Sequence, residues 1–221
     1  MSHYDWPSIV RKTVKLGKKL EADDFVLKAP EEASLVRAKV IGVIENQAPT
    51  KSLEFDLPTE NGNVQISEGV SYLSLVERHR GTGSVTNGFV SGFEYTGSMA
   101  IASSVAHDSH HMIVVGTARE MMAAAANRLG EVGGGVTVWK DGSEVALVEL
   151  PIAGLMSDSP ASIVAAKAQE VVSAMADCGC SLNNAYMQHT LLALVVIPEL
   201  RISDLGLVDV NHFELTEVIL S

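Results

Sequence analysis

Residues 117–150 read TAREMMAAAANRLGEVGGGVTVWKDGSEVALVEL, and this stretch decides the fold. Thr117-Ala118-Arg119-Glu120 has the spacing of a capping box, so it predicts a helix over 121–129 that stops at Gly130. Gly133-Gly134-Gly135 then leads into an apolar run over 136–140, and Asp141-Gly142 is a strong hairpin turn into 145–150. A helix set directly before a tight hairpin means a mixed fold. The triple glycine invites a phosphate-loop reading. It precedes a strand, however, with no helix start and no Gly-Lys-Ser/Thr behind it, so that reading is set aside.

Working back toward the start, residues 36–44 alternate through Val36, Ala38, Val40 and Ile44, and Leu53, Phe55 and Leu57 alternate with polar neighbours. Both are predicted to be half-buried strands, with Pro58 and Asn61-Gly62 turning the chain. Further strands are expected over 70–76, 85–93, 99–105 and 112–115. Residues 1–30 read as an arm, in which Trp6, Val10, Val14 and Leu16 sit among five Lys/Arg between Arg11 and Lys19. The remaining domain is 31–221. Working forward, Ser157-Asp158-Ser159-Pro160 opens a second helix, with Asp158 a candidate cap and Val164, Ala168, Val171, Val172 and Met175 as its buried stripe. Gly179 ends it. Residues 191–197 read as a buried strand ended by Pro198, and 213–220 as the last strand. Helices arriving singly between hairpins and meanders give α+β, a largely antiparallel sheet with helices packed on one face.

The chain has 221 residues, 47% hydrophobic and 19% charged, which suits a globular core without a disulfide framework. A formal net charge of −11 disfavours a nucleic-acid or anionic-membrane surface as partner, because either is repelled at long range. The longest apolar run, 190–198, is too short to span a bilayer, and the first residues lack the order of a signal peptide, so the cytoplasm is the expected location. An Ala- and Gly-rich apolar chain of this size is expected to form a homodimer or larger assembly. Cys178 and Cys180 are one residue apart, too close for an unstrained bridge, and are expected to be reduced thiols at a helix end.

Chemistry concentrates in Ala106-His107-Asp108-Ser109-His110-His111, ahead of the apolar run 112–115. Three of the seven histidines lie here. In an extended segment Asp108 and His110 share one face, and a bend at Asp108-Ser109 brings the four groups together. Imidazole and carboxylate suit zinc, manganese or iron(II), although the spacing matches no established zinc signature. Such residues at a strand start also satisfy turn hydrogen bonds. A second charged group, Glu77-Arg78-His79-Arg80, ends the strand 70–76 immediately before Gly81-Thr82-Gly83. The chain has no His-x-His, His-Glu-x-x-His, Gly-x-Ser-x-Gly, dinucleotide fingerprint or Pro-Cys-x-x-Cys.

Glu77-Arg78-His79, Gly81-Thr82-Gly83, Gly88-Phe89-Val90, Ala106-His107-Asp108-Ser109-His110, Ile113-Val114-Val115-Gly116, Pro151-Ile152-Ala153-Gly154-Leu155-Met156-Ser157-Asp158 and Ile197-Pro198-Glu199-Leu200 occur in the same order as in one known region. Together they resemble the C-terminal region of bacterial adenine deaminases of the amidohydrolase superfamily. The resemblance covers almost the whole chain and implies the same fold. It also implies a metal centre carried on a (β/α)8 barrel upstream of this region, with a His-x-His that this chain lacks. His111 stands where the family usually has Asn, and Gln188-His189-Thr190 replaces a smaller stretch. Two classes of function follow. In one, the chain is itself a metal-dependent hydrolase of non-peptide C–N bonds acting on adenine or a related N-heterocycle. His79, His107, His110 and His111 then hold a divalent manganese, zinc or iron, Asp108 or Glu77 moves the proton of its water, and Arg80, Asp158 and His189 contact the substrate. In the other, it is an accessory or assembly domain that completes a site on a barrel-containing partner.

Overall fold

The computed structural model describes residues 4–30 and 33–220. Its elements in chain order are β1 (Leu35–Val43), β2 (Thr50–Glu60), β3 (Asn63–Val64), β4 (Val70–Val76), β5 (Val85–Ser91), β6 (Met99–Ser103), β7 (Met112–Gly116), α1 (Arg119–Val132), β8 (Gly135–Lys140), β9 (Ser143–Glu149), α2 (Ala161–Asp177), α3 (Ala185–Leu191), β10 (Leu200–Ser203), β11 (Gly206–Asp209), β12 (Glu214–Thr216) and β13 (Ile219–Leu220). The large sheet runs β3-β2-β1-β5-β4-β7-β6-β8-β9, with β13 beside β1, and β10-β11-β12 form a small second sheet. All these pairings are antiparallel except β1 with β5. The fold is α+β, as expected.

The helices do not share one face. α1 packs on one side of the sheet with Val76, Met112 and Val114, while α2 and α3 cover the other with Leu73, Leu75, Ile113 and Val115. Successive side chains of a strand point to opposite faces, so β4, β6 and β7, sandwiched between the layers, are buried along their whole length. That is why they read as continuous apolar runs. Val14, Leu20 and Phe25 of the N-terminal stretch are buried in the α1-side core, so this segment adds to the packing.

Several local expectations change, each for an identifiable reason. Thr117 does not cap α1; its hydroxyl donates to the Gly97 carbonyl at 2.5 Å, and no side chain caps the helix start. Nor does α1 stop at Gly130. A Cβ there would lie 2.7 Å from the Leu16 side chain, so Gly130 is the gap in the helix surface through which the N-terminal segment passes. Gly133, in the left-handed region at φ 85°, closes the helix and donates its N–H to the Leu129 carbonyl at 3.1 Å. Pro58 lies inside β2, in its poorly covered outer half opposite Leu35, where a missing N–H costs little. The run 191–197 is not a strand: α3 precedes it and turns follow. An apolar run of that length cannot be told from a packed helix end by periodicity alone. Residues 213–220 divide into β12 and β13, which belong to different sheets.

The triple glycine is explained by close approach. A Cβ at Gly135 would fall 2.0 Å from the Val148 carbonyl oxygen, and one at Gly134 would fall 2.4 Å from Gly154 Cα. The buried Ser104 hydroxyl fills the space between, donating to the Gly154 carbonyl at 2.6 Å and accepting the Gly135 N–H at 2.7 Å.

Candidate functional site: a polar cleft at the end of β4

β4 delivers Glu77 and Arg78 to the rim of the sheet, where both are buried and take opposite tasks. The Glu77 carboxylate accepts the backbone N–H groups of His79 at 2.6 Å, Arg80 at 2.8 Å and Thr82 at 3.0 Å, and the Thr82 hydroxyl at 3.1 Å. Burial alone would raise its pKa, but these donors outweigh it and hold the group at about 2. Glu77 is therefore a fixed anion that shapes the turn 77–82, and a group held so firmly moves no proton near neutrality.

Arg78 is 1% exposed, and among the described residues no carboxylate bonds to its guanidinium. Its Nε donates to the His110 carbonyl at 2.5 Å, and Nη1 and Nη2 both donate to the Ala153 carbonyl at 3.3 Å. It thus ties the histidine loop to the turn that follows β9. Burial lowers its pKa, and the nearby Glu77 charge opposes that shift.

The four imidazoles divide into two pairs. His79 and His111 have ring centroids 4.7 Å apart, and His107 and His110 have theirs 5.1 Å apart. His79 Nε2 lies 2.8 Å from the Ser109 carbonyl, so it carries the hydrogen. His111 is buried; its Nε2 is 3.6 Å from Asp204 Oδ2, and its Nδ1 is 4.0 Å from Glu77 Oε1 and makes no hydrogen bond. Burial lowers the His111 pKa, with Asp204 opposing, so the ring is neutral at pH 7. His110, in the left-handed region at φ 52°, accepts the Ala106 N–H on Nδ1 at 3.2 Å and donates its own N–H to the Ala106 carbonyl at 2.8 Å. Its pKa is lowered by burial and then by His107. Asp108 is exposed at the tip of this loop.

Glu77, His79, Arg80, Thr82, His111 and Asp204 line a cleft of about 350 Å³. The sequence reading anticipates four of these. Thr82 and Asp204 are not among the sequence candidates: Thr82 sits in the Gly81-Thr82-Gly83 loop, which is quoted as a motif without a role, and Asp204 follows β10, with nothing in its spacing to link it to residue 111. The importance of Arg78 was missed too, because a charged strand end normally reads as solvated.

Not every candidate reaches the cleft. His107, Asp108 and His110 stand on the adjoining loop. Asp158 does not cap α2; it ion-pairs with Arg11 at 2.6 Å and anchors the N-terminal segment. His189 lies in α3, 0% exposed, with its ring centroid 6.4 Å from that of Phe93 and neither ring nitrogen hydrogen-bonded. Burial pushes its pKa down to about 3, and the Ile113 backbone opposes this without a hydrogen bond of ordinary geometry. Cys178 and Cys180 are free, buried thiols at the end of α2.

A metal held by this chain alone needs three or more converging donors. Among the described residues no three His, Cys, Asp or Glu side chains are so arranged. Beside His79 and His111, Glu77 is occupied by the turn and Asp204 faces His111 Nε2 at 3.6 Å, while beside His107 and His110 the carboxylate of Asp108 is exposed at the loop tip. Among the described residues the donor set does not fit a resident metal centre.

The N-terminal segment crosses the same turn. The Lys15 N–H donates to the Arg78 carbonyl at 2.9 Å, and Gly17, at φ 77°, touches the 81–83 loop so closely that a Cβ would fall 2.2 Å from the Gly81 oxygen. Gly17→Ala should therefore lift this segment off the cleft loop. We expect a stability loss of roughly 1–3 kcal/mol, the usual cost of Ala at an incompatible positive φ with added contact strain. Thermal unfolding compared with an exposed control, Gly62→Ala, measures it.

Comparison with known proteins places the chain in a deaminase-associated domain family. The adenine deaminase C-terminal domain family matches residues 47–214, and the chain belongs to that family. An adenine deaminase of Ruegeria pomeroyi is 70% identical over 215 residues, covering 96% of this chain and 36% of the relative. Adenine deaminases of Roseobacter denitrificans and Moorella thermoacetica are 68% and 40% identical over 217 and 216 residues, 98% and 97% of this chain and again 36% of each relative. The chain thus spans little more than a third of the length of these relatives. Among the described residues no helix is long and apolar enough to cross a membrane.

Proposed function

We propose that this chain is the C-terminal domain of an adenine-deaminase-type hydrolase, active on adenine or a related N-heterocycle only together with an upstream barrel that carries the metal. The observation that carries this reading is the division of the imidazoles into two pairs, with no group of three donors arranged to hold a metal among the described residues. The close relatives, all named adenine deaminase and all much longer, support it from the other side. The metal, when bound to the barrel, supplies an activated water and charge stabilisation. This chain contributes a rim on which His79, Arg80 and Asp108 are exposed and within reach of a ligand held by another body. Glu77 and Arg78 keep that rim in place from beneath. We place the reaction in the cytoplasm, consistent with two free thiols.

Of the added imidazoles, His189 is fully buried outside the cleft, and His111 lines the cleft with its Nε2 facing Asp204. Equilibrium dialysis of the isolated chain against manganese, zinc and iron(II) tests the reading. We expect well under one ion bound per chain, unchanged by His107→Ala or His110→Ala. Stoichiometric binding that these substitutions abolish would overturn it.

A further inference from the structure

The groove between α2 and α3 is the least finished part of the surface. It holds about 490 Å³ and is lined by Val172, Ala176, Leu182, Tyr186 and Met187 among others. Val172 and Met187 are 51% and 50% exposed. Only Val171, Ala174 and Met175 of the 17 residues of α2 are buried, and Ala161, Ala165, Ala168 and Ala176, on the side of Val172, are exposed. An apolar flank of this extent on an outermost helix is the composition of a covered surface.

The path of the chain says what covers it. Residues 10 and 11 are pinned beside the start of α2: the Ala153 N–H donates to the Val10 carbonyl at 2.7 Å, and Arg11 ion-pairs with Asp158, three residues before the helix. The N-terminal segment thus runs onto the domain beside the start of α2. In the relatives nearly two-thirds of the protein lies outside the matched region, a body larger than this domain. The groove is within one helix length, about 25 Å, of that point.

We propose that the α2–α3 groove is the docking surface for the upstream, metal-bearing part of the same polypeptide, held against it in cis. This rests on the function proposed above and adds its geometry. A tethered partner sits at an effective concentration near millimolar, so a modest apolar surface suffices to keep the two bodies together.

Cys180 itself lines the groove, so Cys178→Ser and Cys180→Ser are introduced first, and a thiol placed at Val172 then reports on the groove alone. Val172→Cys is made in this chain and in a fusion that carries the upstream region of the Ruegeria pomeroyi adenine deaminase ahead of residue 4. Phe213→Cys, at an 83% exposed position, is the control. Labelling at Val172→Cys should be at least about tenfold slower in the fusion than in the isolated chain, the factor produced by a closed state favoured by roughly 1.4 kcal/mol. Labelling at Phe213→Cys should not change. Equal rates at position 172 in the two proteins would overturn the assignment. So would protection in the isolated chain that grows with its concentration, since a second copy would then be the occupant. Ammonia release by the fusion is read separately: its absence counts against the proposed function, while the labelling ratio alone decides the surface.

Discussion

Arg78→Met should unfold at a temperature roughly 5–15 °C below the parent chain. The substitution keeps an unbranched side chain of similar reach but removes the donors to the His110 and Ala153 carbonyls, which are partly buried. Leaving a buried acceptor unpaired costs about 1–3 kcal/mol, so two of them cost at most about 2–6 kcal/mol. For a domain of this length each kcal/mol lowers the midpoint by roughly 2–4 °C. Arg78→Lys should recover less than half of the loss, because a single ammonium cannot span two carbonyls as a planar guanidinium does. Arg78→Met with an unchanged midpoint would mean that the guanidinium is not the tie between the histidine loop and the turn after β9.

The second large effect is on acid stability. His189 titrates at about 3 in the folded chain against an ordinary value of 6.5. Between those values the unfolded chain binds a proton that the folded chain refuses, so stability is complete above pH 6.5 and falls as the pH drops toward 3. The slope approaches about 1.4 kcal/mol per pH unit from this group alone. His110 and His111, also lowered by burial, act in the same direction. Glu77, held at about 2, loses its contribution only below its ordinary value of 4.5, so the range from pH 6.5 to 5 isolates the histidines. His189→Met should flatten the slope in that range. It should also raise stability at pH 7 by roughly 1–3 kcal/mol, since it removes two buried nitrogens without partners. Denaturant unfolding at several pH values measures both. A variant with the parental slope would place the acid sensitivity elsewhere.

Much of the strand plan was legible because the apolar periodicities of β1, β2, β4 and β8–β9 are local, and the Asp141-Gly142 hairpin forms as its turn residues require. What the sequence concealed depends on distant contacts. Gly130 stops nothing because Leu16, over a hundred residues away, occupies the space above it. Thr117 bonds to Gly97 rather than capping α1. In the site, both charged stretches were visible, and so was their position at strand ends. Their pairing was not: a bend at Asp108-Ser109 does not gather the imidazoles, because His79 packs on His111 while His107 packs on His110. The inward turn of Arg78 and the arrival of Asp204 from the small sheet are long-range events with no local signature.

Ammonia release from adenine tests the account most directly. The isolated chain, supplied with manganese, zinc or iron(II), is compared with the same chain fused behind the upstream region of its Ruegeria pomeroyi relative. The account predicts release at the uncatalysed background from the isolated chain and sustained turnover from the fusion. Sustained turnover by the isolated chain, abolished by His107→Ala with the fold intact, would contradict it.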